Sequence, residues 1–205
     1  MKVLFCKISC MKFYKGACDN DKPFNGGSFV KENGYGHEEN NFYAVDISDD
    51  ESYCLGFVET KSTKNGKINE LHIEKIDGCS DCKKSESVNG VLVIWCATTD
   101  LNETSVVGWY KNATVYRNYC DAELDGYIQS FNMIAKKEDC VLIPHTDRHV
   151  YKWKVPVAKV NGYGFGQSLV WYPTDKKGAE YAEKMAKQIF TYNGENWIDV
   201  FPEQD

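Results

Sequence analysis

A chain of 205 residues, 42% hydrophobic and 26% charged, has room for one domain with a sizeable core or two small ones, and its balance excludes a disordered polymer, a collagen-like fibre and a coiled coil. No stretch holds the ~20 apolar residues needed to cross a bilayer, and the apolar run at residues 3–6 is too short for a signal peptide. The net charge of −6 opposes a uniformly phosphate-binding surface, but the charge is uneven. Residues 38–59 carry seven acids and no base, whereas residues 144–171 carry Arg148, Lys152, Lys154 and Lys159 against Asp147 alone, which leaves room for one basic face.

In chain order, residues 2–9 read as a first strand and residues 15–41, rich in Gly, Asn and charge, as a long loop with turn signals at Asn25-Gly26-Gly27 and Asn33-Gly34-Tyr35-Gly36. A strand is expected over 53–61, with Asn65-Gly66 turning the chain into a partner strand over 68–76 that carries Ile68, Leu71, Ile73 and Ile76. Residues 88–98 are apolar at odd and even positions alike, the pattern of a central buried strand. Residues 104–116 hold two strand-like runs joined at Lys111-Asn112, with Gly108 marking a bulge or a close backbone approach. Further strands are expected within 130–143 and 168–171. One helix follows, capped by Thr174 or Asp175, with Ala182, Met185, Ala186, Ile189 and Phe190 on its apolar face. The sum is a single α+β domain over residues 1–205, mostly β, forming a small barrel or a strongly bent sheet with one or two packing helices.

Nine cysteines, an odd number partly embedded in apolar runs, read as free thiols in a reducing cytoplasm. Cys79-Ser80-Asp81-Cys82 is a lone C-x-x-C. A zinc site needs four ligands, and no second pair completes one (His145 and His149 come nearest), so no metal is assigned and a thioredoxin-like role has still less support. No nuclease motif, metal spacing or nucleophile–base pairing is recognisable, so no catalytic residue and no cofactor are assigned. Two constellations remain. Asn-Gly-Tyr-Gly occurs at 33–36 and again at 161–164, where Gly162, Gly164 and Gly166 alternate with aromatics and leave the backbone amides bare. Trp95, Trp109, Tyr110, Trp171 and Tyr172 lie in or beside strands, and rings of this kind stack on nucleobases when a pocket exposes them.

The stretches 31–34, 106–117 and 164–172 resemble the amino-terminal region of bacterial HNH-type restriction endonucleases, with a departure at Leu169, where a polar residue, usually Asn, is expected. At the level of pattern, the valine-valine-glycine-aromatic strand at 106–109 is similar to the PUA, ASCH, EVE and YTH group of small barrels. That resemblance implies a PUA-like barrel that reads a modified base with an aromatic cage. The expectation is therefore a cytoplasmic, non-catalytic reader of modified-base nucleic acid, DNA before RNA. It would be the specificity module of a modification-dependent restriction or defence system, with a nuclease subunit or domain as partner and no membrane. Trp109 and Tyr110 would wall the pocket, with Trp95 or Trp171 behind them. Asn33 and Gln167 would read base edges. Lys111, Arg117, Arg148 and Lys154 would hold phosphates, with Asn112 and Ser168 beside them. The competing expectations are a small nucleotide-processing hydrolase using Cys and His, and a protein–protein module suited to the acidic net charge.

Overall fold

The computed structural model describes residues 1–25, 36–48, 51–60, 70–124 and 126–203. The doubly apolar run at 88–98 becomes β4 (Ser87–Thr98), a central strand of one eight-stranded mixed sheet. Val91, Val93 and Trp95 enter the core on one face, and Leu92, Ile94 and Cys96 enter it on the other. The remaining strands are β1 (Val3–Ile8), β2 (Ala44–Ser48), β3 (Glu51–Gly56), β5 (Thr104–Leu124), β6 (Tyr127–Lys136), β7 (Cys140–Leu142) and β8 (Val170–Trp171). Their order is β2-β3-β6-β5-β4-β1-β8, with β7 paired to β5; β1 runs parallel to β4 and the other pairings are antiparallel. The end strands β2 and β8 do not pair with each other, so the sheet does not close into a barrel among the described residues.

β5 is one strand of 21 residues rather than two, and both signals read from its sequence mark irregularities in it. Val91 opposes Ala113 while Val93 opposes Tyr110, so Leu92 alone faces Lys111 and Asn112, and Asn112 takes the left-handed conformation at φ 50°. Because of this bulge, Tyr110, Ala113 and Val115 all reach the same core layer, which strict alternation forbids. A second bulge lies at Val107, between the pairs Trp95–Gly108 and Cys96–Val106. A Cβ on Gly108 would stand 2.3 Å from the Val141 carbonyl oxygen and 2.5 Å from Phe42 Cζ, so Gly108 marks both the bulge and a close approach.

Other expected elements need correction. The strand at 53–61 begins at Glu51 and ends at Gly56, because two buried amides then replace the ladder. Asn41 accepts from Phe57 N (2.8 Å) and donates to Phe57 O (3.0 Å), and Asn132 does the same for Val58 (3.1 and 2.9 Å). No partner strand follows over 70–76. Those residues form turns with a 3-10 segment at Ile73–Lys75, because burial recurs every third residue at Ile73 and Ile76. Ile68 and Asn65-Gly66 lie outside the described residues. The region 130–143 splits into β6 and β7 at the turn Lys137–Asp139. The helix α1 (Lys176–Phe190) is capped by Asp175, which accepts from Gly178 N at 3.0 Å, and it buries Ala182, Met185, Ala186 and Ile189. Phe190 is 57% exposed and leaves that face. No helix among the described residues is long and apolar enough to cross a membrane.

One layer of core lies between the sheet and α1. The other is closed by Met11, Tyr14, Phe42, Leu71, Ile73 and Cys79. Lys15 fastens the C-terminal segment over the second layer, donating to the carbonyls of Phe42 and Ile198 with its Nζ 5.0 Å from the centre of the Phe201 ring.

The Gly108→Ala variant is expected to lose about 2–3 kcal/mol in urea denaturation, because backbone must move. Gly90→Ala, at φ 71° with open space around it, should lose only about 1 kcal/mol. Burial lowers the Lys15 pKa to about 8, with nearby sulfur and carboxylate charges opposing it. Between pH 8 and 10.5 the unfolded chain therefore holds a proton that the folded chain has released, and this group's contribution to stability rises with pH. The stability of the native chain minus that of Lys15→Met should grow across this window, and a flat difference would count against it.

Candidate functional site

Residues 109 and 110 are neighbours on β5, so their rings leave the sheet on opposite faces and cannot wall one pocket. Both are sealed. Trp109 packs on Trp153 (5.6 Å between ring centres) and Tyr192 (5.1 Å) beneath α1; Tyr110 lies across the sheet against Trp95 (5.3 Å) and Phe42 (5.6 Å), its hydroxyl donating to the Asn41 carbonyl. Trp95, Trp109 and Tyr110 are each 0% exposed, and Trp171 is buried against Phe5 at 4.6 Å. None of the four forms an open aromatic wall, which corrects that expectation.

Two expected phosphate ligands are also committed elsewhere. The Arg148 guanidinium is 1% exposed and donates to the carbonyls of Ile143 (2.8 Å), Met11 (2.5 Å) and Lys12 (2.6 Å). The same loop turns its amides the other way: Lys12, Phe13 and Tyr14 N–H donate to buried Asp21 at 2.6, 2.8 and 3.3 Å. Arg117 pairs with Glu74 at 2.9 Å and donates to the carbonyls of Cys82, Lys83 and Ser85. Lys111 lies over the Phe190 ring at 5.6 Å, and Asn112 donates to both carboxylate oxygens of Asp139 at 3.2 Å. Gln167 and Ser168 are exposed, with Ser168 Oγ accepting from Val170 N at 3.1 Å; Asn33 lies outside the described residues.

Of the expected ligands, Lys154 borders a cleft. This cleft, of about 550 Å³, runs between the 151–163 segment and the exposed side of α1. Its floor is Val155, Pro156 and Met185; around them stand Tyr151, Tyr163 and Tyr181, Lys152, Lys154 and Lys184, and the amides of Asn102, Asn161 and Gln188. The second Asn-Gly-Tyr-Gly shapes one wall. Gly162 ends the helical turn Ala158–Asn161 at φ 78°, and Gly164, at φ 102°, lies where a Cβ would fall 2.0 Å from the Pro156 carbonyl oxygen. Tyr181, Lys184 and Gln188 share a stripe of α1 at helical spacing.

The cleft is chemically mixed. Lys154 Nζ meets Glu103 at 2.6 Å, 5.8 Å from the centre of the Tyr151 ring. Lys152 Nζ lies 4.9 Å from the centre of the Trp153 ring, and among the described residues neither it nor Lys184 pairs with a carboxylate. The Tyr181 hydroxyl donates to the Lys154 carbonyl at 2.7 Å, and burial raises its pKa well above the usual phenol range. Tyr151 is 80% exposed, so a ring face is open to stacking. The Asn161 side-chain Oδ1 accepts from Val157 N at 3.0 Å, while among the described residues Gln188 Oε1 is buried with no donor. Among the described residues no group of His, Cys, Asp and Glu is arranged to hold a metal ion.

Tyr163 lies in the second Asn-Gly-Tyr-Gly that the sequence singled out, whereas Tyr151, Tyr181, Lys184 and Gln188 were not singled out by the sequence. The excess of base over 144–171 pointed to one wall, but nothing local ties that wall to α1. No family model, curated protein or solved structure matches the chain.

Arg148→Leu should cost on the order of 3 kcal/mol in denaturant unfolding, because it strips donors from three carbonyls while leaving them buried. A variant as stable as the native chain would contradict the role given to this cation.

Proposed function

We propose that the chain binds nucleic acid without transforming it, and that the lysine–tyrosine cleft beside α1 is where the strand lies. The observation that carries this reading is the meeting of Lys152, Lys154 and Lys184 with the open Tyr151 ring and three side-chain amides around one space of about 550 Å³. Lysines neutralise phosphates, an exposed phenol ring stacks on a base, and an amide offers donor and acceptor to a base edge. Three of the chain's 24 lysines and arginines line this cleft against one acid, Glu103, so an otherwise acidic chain offers a polyanion a local excess of positive charge there.

The finer reading is recognition of a modified base in DNA by a PUA-like domain, as the specificity module of a modification-dependent restriction or defence system. It draws on the resemblances of 31–34, 106–117 and 164–172 and on the bulge in the strand that carries 106–109. A base turned out of its stack would be received by Tyr151, Tyr163 and Tyr181, since the tryptophans of the sheet are enclosed.

Fluorescence titration against short single- and double-stranded DNA, plain and base-modified, at two salt concentrations tests both levels. Lys152→Ala with Lys184→Ala should weaken binding and reduce the salt slope by about 2. Tyr151→Ala should cost about 1–3 kcal/mol. Equal affinity for modified and plain strands would remove the finer reading. Binding unchanged by all three substitutions would remove the cleft.

A further inference from the structure

Among the described residues the Cys79–Cys82 pair lacks the partners of a metal site, but its backbone surroundings point to another chemistry. From Ile73 to Ser85, every third amide donates to the carbonyl three residues back. Ile76 N reaches Ile73 O at 3.2 Å, Cys79 N reaches Ile76 O at 2.9 Å, Cys82 N reaches Cys79 O at 2.9 Å, and Ser85 N reaches Cys82 O at 3.1 Å. These are successive tight turns rather than one continuous helix, since Ile76 is extended (φ −66°, ψ 133°) and Gly78 takes φ 76°, and across the turn from residue 79 to residue 82 the Cys79 and Cys82 sulfurs are neighbours. Ile73, Ile76 and Cys79 are buried there, and Cys82 is half-buried. A turn of this kind holds its first and fourth Cα within about 7 Å, and a disulfide spans roughly 4.4–6.8 Å.

Arg117 holds the turn from the sheet side. Its Nη2 donates to Cys82 O at 2.9 Å and Lys83 O at 3.2 Å, and its Nε donates to Ser85 O at 3.0 Å. These bonds engage backbone and leave the sulfurs unencumbered. Burial first, opposed by Lys2 and reinforced by the neighbouring Cys82 sulfur, keeps the Cys79 thiol protonated above its usual range. Cys54 and Cys140 are also neighbours, but both are fully enclosed and out of reach of an oxidant.

We propose that Cys79 and Cys82 form a reversible disulfide, a redox-modification site separate from the cleft. Cys82, the more exposed, loses its proton and attacks one sulfur of a small-molecule disulfide such as oxidised glutathione, giving a mixed disulfide and one glutathione thiolate. Cys79 then loses its proton, and its sulfur displaces the second glutathione thiolate. The two protons pass to the released thiolates, so one oxidised glutathione becomes two reduced molecules while two thiols become one disulfide.

The test equilibrates the full chain in glutathione buffers of graded ratio, blocks free thiols with N-ethylmaleimide and digests with trypsin. Both cysteines fall in the peptide 76–83, so the disulfide reads as an unblocked peptide two hydrogens lighter. We expect the folded chain to reach half-oxidation at a ratio about tenfold less oxidising than the chain in guanidinium, because the turn is already closed. Equal midpoints, or a folded chain that gains only glutathione adducts, would overturn the proposal. A second measurement does not depend on a variant folding: phenylarsine oxide, which bridges paired thiols, should protect both cysteines of this peptide from blocking at one equivalent. Failure to protect them would also overturn it. In Cys82→Ser, Cys79 should remain unmodified by oxidised glutathione; rapid modification would show that Cys79 does not depend on Cys82.

Discussion

The length of β5 constrains everything else. Twenty-one residues in one strand must serve β4 along the first half and both β7 and β6 on the other edge, and a regular strand cannot do so while keeping apolar side chains in two cores. The bulges at Val107 and at Lys111-Asn112 reset the alternation, so Trp109 falls under α1 while Tyr110, Ala113 and Val115 stay on the far face. A third irregularity, between Val115 and Cys120, releases the strand from its register with β6. There Arg117 exchanges backbone bonds with Leu71 and Glu86, and its side chain clamps the 82–85 turn. The separation of the two cores and the position of the cysteine turn both follow from where this strand departs from regularity.

The core is closed partly by polar groups. Arg148 and Asp21 lie on opposite sides of one loop, whose carbonyls at Met11 and Lys12 face the cation and whose amides at 12–14 face the carboxylate. Asn41 and Asn132 act as short stretches of strand for Phe57 and Val58. Each such group satisfies backbone that would otherwise be buried without a partner. This use of polar side chains also explains why Arg117 and Arg148 resemble ligands in the sequence and are none in the fold: their donors are spent within the chain. The lysines at the rim of the cleft carry flexible stems that reach solvent, although Lys154 pairs with Glu103.

The cleft joins two parts of the chain that the sequence presents separately. The 151–163 segment brings Tyr151 and two lysines, and α1 contributes Tyr181, Lys184 and Gln188 from the edge of its buried stripe. Both parts are anchored in the same apolar layer through Trp153, Val155, Ala182 and Met185. The walls are therefore held by core packing rather than by the charged groups that would meet a ligand. Such an arrangement lets rim residues take a partner without rebuilding the fold.

By itself the sequence determined the elements whose burial is uniform or strictly periodic. The doubly apolar β4, the first strand, the α1 stripe with its Asp175 cap and the two trouble spots in β5 could be read from local pattern, because each is fixed by where its own side chains must go. What the sequence could not separate was a ring sealed in a core from a ring open at a cleft. Trp109 and Tyr151 have the same aromatic character, and only the packing of distant segments makes one 0% and the other 80% exposed. The segment over 68–76 reads as a strand in the sequence for a related reason: its apolar residues Leu71, Ile73 and Ile76 are compatible with a strand or with turns, and the Arg117 side chain that pairs with Glu74 in the turn arrives from β5. Tertiary structure decided exposure, pairing and the fate of each charge, since all three depend on neighbours remote along the chain.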